Sequence, residues 1–191
     1  MKKSFLAAAA ILAGLSAPAL ADSNTSKIEQ LGNNSSVGVT QTGDDTTNKA
    51  TVFQATSTDG TIATISQDGV SNTNTATIFQ FGAGHEATVT QDGDDNTNHS
   101  VLTQAGGDNI TTVAQGGSTN DNFSLIQIQA GFDSTINVTQ EGDNNQNSST
   151  LSTFTLHGSN ADVHQHGSTN TNTSTISIGA TGPSSAIVNQ H

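Results

Sequence analysis

The chain contains no cysteine, tryptophan or tyrosine, only two prolines, and four basic residues among its 191. Without cysteine there can be no disulfide framework and no thiolate metal site. So few cations, with no tryptophan or tyrosine on which bases could stack, argue against a nucleic-acid partner. Charged residues make up 10% of the chain, where an ordinary globular domain carries about 25%. Hydrophobic residues reach 31%, a thin supply for the core of a conventional enzyme. Serine, threonine, asparagine and glutamine fill the space and together number 85. Sixteen acids against four bases leave a formal charge of -12. Composition alone would suggest disorder, but the order of the residues argues against it.

Residues 1–21 read as a secretory signal peptide: Lys2 and Lys3, an apolar run from Phe5 to Leu15, then Pro18 and the small-residue site Ala19-Leu20-Ala21. The run is too short to span a membrane, which takes about 20 apolar residues. The mature chain is expected to begin at Asp22 and to comprise residues 22–191. With Lys2 and Lys3 gone, two cations face sixteen acids, a formal -14. No later segment is apolar enough to insert into a membrane, so export rather than anchoring is expected.

The remainder repeats. Glutamine followed two residues later by glycine occurs at Gln41/Gly43, Gln67/Gly69, Gln91/Gly93, Gln115/Gly117, Gln140/Gly142 and Gln165/Gly167. Seven residues after each of these glutamines stands an asparagine: Asn48, Asn74, Asn98, Asn122, Asn147 and Asn172. Asn24 opens the series and Gln190 closes it. Successive asparagines are 24, 26, 24, 24, 25 and 25 residues apart. The spacing defines seven copies near 24–41, 48–67, 74–91, 98–115, 122–140, 147–165 and 172–190.

Each copy holds two segments of period two. After the asparagine, alternate residues are small and then aliphatic, the aliphatics being Ile28, Val52, Ile78, Leu102, Ile126, Leu151 and Ile176. Two residues before the closing glutamine stands Val39, Ile65, Val89, Val113, Val138, Val163 or Val188. Alternation rich in Val, Ile and Thr indicates half-buried strands, and no face recurs at helical spacing. A second glutamine column, Gln30, Gln54, Gln80 and Gln104, is continued by Gln129 and then gives way to Phe154 and Gly179. Glycine, asparagine and aspartate between the strands suit tight turns. The turn after the closing glutamine reads as two residues longer than the other.

A two-stranded unit cannot bury its face alone, but stacked units can. The predicted fold is all-β, an amyloid-forming β-solenoid of about seven strand-turn-strand rungs with a cross-β spacing of roughly 4.8 Å. The fourteen aliphatics named above form its core. The asparagine series from Asn24 to Asn172, the Gln30–Gln104 column and the Gln41–Gln190 column become assembly ladders, in which stacked amides bond along the axis. Neither end carries the polar capping repeat that soluble solenoids use. Open strand edges are templates for another chain, and a head-to-tail contact that does not close yields a filament.

The pattern resembles the curlin repeat, S-x5-Q-x-G-x2-N-x5-Q, of the secreted subunits of curli amyloid fibres in Gram-negative bacteria. Gln104-Ala-Gly106-Gly-Asp-Asn109, followed after five residues by Gln115, fits its Q-x-G-x2-N-x5-Q part. The similarity runs over residues 24–190. Asn98 stands at the leading serine position, and Ser35, His85 and Ser134 replace the internal asparagine in other copies. The resemblance implies an extracellular structural protein, either main fibre subunit or minor nucleator, serving adhesion and biofilm matrix. Implied partners are further copies of itself, another curlin-type subunit, an outer-membrane secretion pore and periplasmic accessory proteins.

Sharper sites are weaker. His164 and His166 flank Gln165 and could pair on a metal, but no third ligand recurs among His85, His99, His157 and His191. Asp44, Val70, Asp94, Ser118, Asp143 and Ser168 share one turn column, too broken for a calcium ladder. No cofactor and no catalytic constellation are expected. Phe53 and Phe79 should stack outward until Thr103 ends their column. Thr169 to Thr175, with threonine at alternate positions, raises a second class, a soluble solenoid that binds ice or another ligand. Such a binder needs threonine columns that persist through all rungs.

Overall fold

A computed structural model describes residues 23–32, 34–55, 59–154, 158–179 and 182–191. Residues 1–21, where a signal peptide is expected, and Asp22 and His157 lie outside them. Among the described residues the chain is all-β, without a helix. The odd-numbered strands are β1 (Ser23–Gln30), β3 (Thr47–Gln54), β5 (Thr73–Ala83), β7 (Thr97–Gly107), β9 (Asp121–Phe132), β11 (Gln146–Thr153) and β13 (Thr171–Ile178). Between them run β2 (Ser36–Gln41), β4 (Ile62–Gln67), β6 (Glu86–Gln91), β8 (Ile110–Gln115), β10 (Thr135–Asp143), β12 (Ser159–Ser168) and β14 (Ser184–Gln190). Odd strands form one seven-stranded parallel sheet and even strands another, so the chain winds into a β-solenoid.

Register follows the repeat. Asn24, Asn48, Asn74 and their successors pair position for position, as do the small residues two places after them and the aliphatics four places after them. On the even sheet Val39 pairs with Ile65, Val89, Val113, Val138, Val163 and Val188 in succession. Parallel in-register pairing puts like on like, and alternation sends every second side chain inward. Val52, Ile65, Ile78, Val89, Leu102, Val113, Ile126, Val138, Leu151 and Val163 are fully or almost fully buried, and Ile176 is 7% exposed. At the two ends Ile28, Val39 and Val188 remain half-buried, since each lacks a rung on one side.

Two expectations need correction. In the second glutamine column, Ile128 rather than Gln129 pairs with Gln104, and Thr153 and Ile178 rather than Phe154 and Gly179 follow it. A register shift between Gln104 and Gly106 takes up one extra residue in β9, so Gly131 still reaches Gly106. The alternation of β9 sends Ile128 inward and leaves Gln129 exposed, whatever its side chain. In the rung that starts at Asn74 the two turns are alike rather than unequal. From Gln80 the chain passes Gly82 and a left-handed Gly84 to a buried His85; from Gln91 it passes Gly93 and a left-handed Asp95 to a buried Asn96. In this rung both corners thus follow one Gln-x-Gly-x-x-corner rule.

Candidate assembly surfaces

The amide columns bond along the axis. In the even sheet each glutamine Nε2 donates to the Oε1 of the next rung, from Gln41 through Gln67, Gln91, Gln115, Gln140 and Gln165 to Gln190, at 2.7–2.8 Å. The second hydrogen of each amide finds a backbone carbonyl across the core, as Gln91 does at Thr75 (3.0 Å) and Gln190 at Thr173 (2.9 Å). In the odd sheet the asparagines donate the opposite way: Asn74 to Asn48, Asn98 to Asn74, Asn122 to Asn98, Asn147 to Asn122 and Asn172 to Asn147, at 2.9–3.1 Å. Satisfied in both directions, these buried amides stabilise the stack instead of costing desolvation.

Not every column member joins. Asn24 stands in register with Asn48, but the Asn48 amide donates to the Thr42 carbonyl at 3.2 Å and the Thr46 hydroxyl at 3.1 Å. The bonded series therefore starts at Asn48. In the Gln30 column, Gln54 donates to Gln80 at 2.8 Å and Gln80 to Gln104 at 3.0 Å. Gln30 instead donates to the Ser35 carbonyl, and the buried Gln54 Oε1 has no partner. Beyond Gln104 stand Ile128, Thr153 and Ile178, and the ladder ends.

A further ladder was not foreseen. Asn72, Asn96, Asn120 and Asn145 occupy one buried corner, headed by Thr46. Each asparagine Oδ1 accepts the backbone N–H of the next: Asn96, Asn120 and Asn145 at 2.8 Å, and Asn170 at 2.9 Å. Their Nδ2 groups donate to the glycine carbonyl of the following rung, at 2.7 Å from Asn96 to Gly117 and 2.5 Å from Asn120 to Gly142. Its signal was present as Gln-x-Gly-x-x-Asn after every closing glutamine from Gln67 to Gln165, the same motif read only at Gln104. At the opposite corner His85 takes the asparagine role. Its Nδ1 accepts the Asn109 N–H at 3.4 Å, and its Nε2 lies 3.1 Å from the Phe81 carbonyl. Those partners fit a neutral ring protonated on Nε2. Burial pushes its pKa below the ordinary value, against the smaller opposing pull of the Phe81 carbonyl and Asp108.

The outer surfaces are less regular. Phe53 and Phe79 stand 6.3 Å apart between ring centres, and Phe81 joins them at 5.7 Å from Phe53. His99 meets Phe123 edge-on at 5.4 Å. His164 pairs with neighbouring Asp162 at 3.1 Å, while His166 stands opposite Glu141. Asp44, Val70, Asp94, Ser118 and Asp143 bridge in one turn column. Among the described residues no threonine column runs the whole stack: Thr73 and Thr97 are followed by Asp121, and Thr77 by Val101.

Residues 71–97 match the family model of the curlin associated repeat. The chain thus carries a curlin repeat. That segment covers β5, both corners beside it and β6, one full turn of the solenoid, and is consistent with a curlin-family repeat protein. The flanking rungs pair with this segment position for position. No curated protein and no solved structure matches the chain.

Proposed function

We propose that the chain is a secreted structural subunit that stacks head to tail into extracellular curli-like amyloid fibres, serving adhesion and biofilm matrix. One observation carries the reading. Among the described residues the edge strands β1, β2, β13 and β14 each lack a neighbour on one side, yet all but the Gln30 column repeat the columns of the interior. Open backbone edges bearing matched side-chain columns favour addition of another copy. The curlin repeat and the β-solenoid point to a structural protein rather than an enzyme, and that family implies an extracellular location. Export through a periplasm and an outer-membrane pore, assisted by accessory proteins and a second curlin-type subunit, belongs to the same reading.

The decisive experiment follows the purified chain, freed of residues 1–21, by thioflavin T fluorescence and fibre diffraction. Fibres with a meridional spacing near ~4.8 Å are expected. A chain that remains monomeric for days would refute the proposal. Gln41→Ala and Gln190→Ala, at the two ends of the longest ladder, should each lengthen the lag, and an unchanged lag would count against ladder-templated growth.

A further inference from the structure

Head-to-tail docking sets β13 beside β1 and β14 beside β2. Carrying the interior register across, Gln190 meets Gln41 and Asn172 meets Asn24. Polarity matches as well. Along Gln41–Gln190 every amide nitrogen points toward the last rung, so Gln190 presents a donor where Gln41 presents an acceptor. Along the asparagine series the direction reverses, and Asn172 presents the acceptor.

One column does not match. Ile178, 7% exposed and paired with Thr153, comes against Gln30. In that column nitrogen donates toward the later rung, as Gln54 does to Gln80, so Gln30 Oε1 needs a donor from the preceding rung. Isoleucine has none. Inside the chain the contact occurs in the reverse order, Gln104 before Ile128, and there the amide nitrogen left without its acceptor is compensated. Gln104 Nε2 donates to the Asn109 carbonyl (3.1 Å), the Glu86 carbonyl (3.1 Å) and the Thr111 hydroxyl (3.0 Å), with Thr111 standing where Ala63 and Ala87 stand in earlier rungs. In the rung of Gln30 the residue corresponding to Thr111 is Val37, which offers no hydroxyl. Gln54 Oε1, in the second rung, already lacks the donor that Gln30 would supply, because Gln30 Nε2 bonds the Ser35 carbonyl.

We propose that Gln30 and Ile178 meet across the junction between two copies of this chain, and that this unmatched polar–apolar pair sets how readily one copy adds to another. The inference rests on the head-to-tail reading above. Matching the column in either sense should strengthen growth: I178Q completes a third ladder, and Q30I makes the corner apolar.

The test is a double-mutant cycle on the full chain after leader removal, reading the critical concentration for fibre formation by sedimentation. Each single substitution should lower it about fivefold or more, the usual scale for relieving one buried unpaired amide. The double variant, with the mismatch reversed, should return to within about twofold of wild type. Gln30 and Ile178 lie six rungs apart in one chain, roughly 29 Å at ~4.8 Å per step. Coupling between them therefore reports contact between chains. Unchanged critical concentrations, or single effects that simply add, would overturn the inference while wild-type fibres still form. A wild-type chain that never polymerises overturns the assembly reading, and this inference with it. Q30L replaces Q30I should the latter fold poorly, as judged by a urea melt of the monomer.

Discussion

His85 fills an asparagine's place with a ring that can titrate. Neutral, it reproduces the asparagine bonds: Nδ1 accepts from Asn109 N–H as Oδ1 would, and Nε2 reaches the Phe81 carbonyl as Nδ2 would. Protonation turns the acceptor into a second donor facing an N–H. In the unfolded chain histidine titrates near about 6.5; here burial lowers the value. Between the two values the unfolded chain binds more protons, so this group's contribution is complete above about 6.5 and falls as pH drops through the window. His85→Asn should lose less stability between pH 7 and 5 than wild type, as read by urea midpoints. An equal loss would assign the acid sensitivity to other groups. Ser124 presents the opposite case. Its buried hydroxyl has no partner, as is true of Ser100, Ser149 and Ser174 in the same column, where earlier rungs carry Ala50 and Ala76. Ser124→Ala should raise stability by about 1 kcal/mol, and a destabilised variant in the same melt would show that the hydroxyl is satisfied.

A rung is held together at its corners as much as along its strands. Gly93 has φ of 116°, and a Cβ there would lie 2.0 Å from the Gly117 carbonyl oxygen and 2.4 Å from Asn96 Nδ2. The adjacent rungs cannot separate to admit it, because the ladder spacing is common to every column. Gly93→Ala should therefore cost more than about 2 kcal/mol. Gly38 in β2 has open space around it and no left-handed φ, so Gly38→Ala should be neutral or stabilising, by at most about 1 kcal/mol. Thermal melts of the two variants side by side distinguish a steric corner from a general intolerance of alanine.

The whole stack carries a strong negative charge. Without residues 1–21 the formal charge is -14, and the two remaining lysines, Lys27 and Lys49, both sit on the outer face of the first two rungs. Acids gather on the turn edge that includes Asp44, Asp68, Asp92, Asp94 and Glu141. Adding one copy to another brings like-charged edges together along their length. Raising ionic strength from 0.01 to 0.15 M shortens the Debye length from about 30 to about 8 Å, so fibre growth should quicken. A lag indifferent to salt would mean that the edge charges are already compensated.

Much of this was legible in the order of the residues. Spacing of 24 to 26 and alternation of period two were enough for two parallel sheets, the aliphatic columns and the long Gln41–Gln190 ladder. Parallel in-register stacking makes that possible, since equal spacing forces like onto like. Tertiary structure alone decided which of two adjacent residues enters a column, as with Ile128 and Gln129, because β9 keeps its phase from Asn122 to Ile128 and takes up its extra residue only between Ile128 and Gly131. It also decided the direction of each amide series and the exclusion of Asn24 and Gln30 from bonded ladders. An amide has two ends, and which way it points depends on its neighbours above and below, information that no single repeat contains.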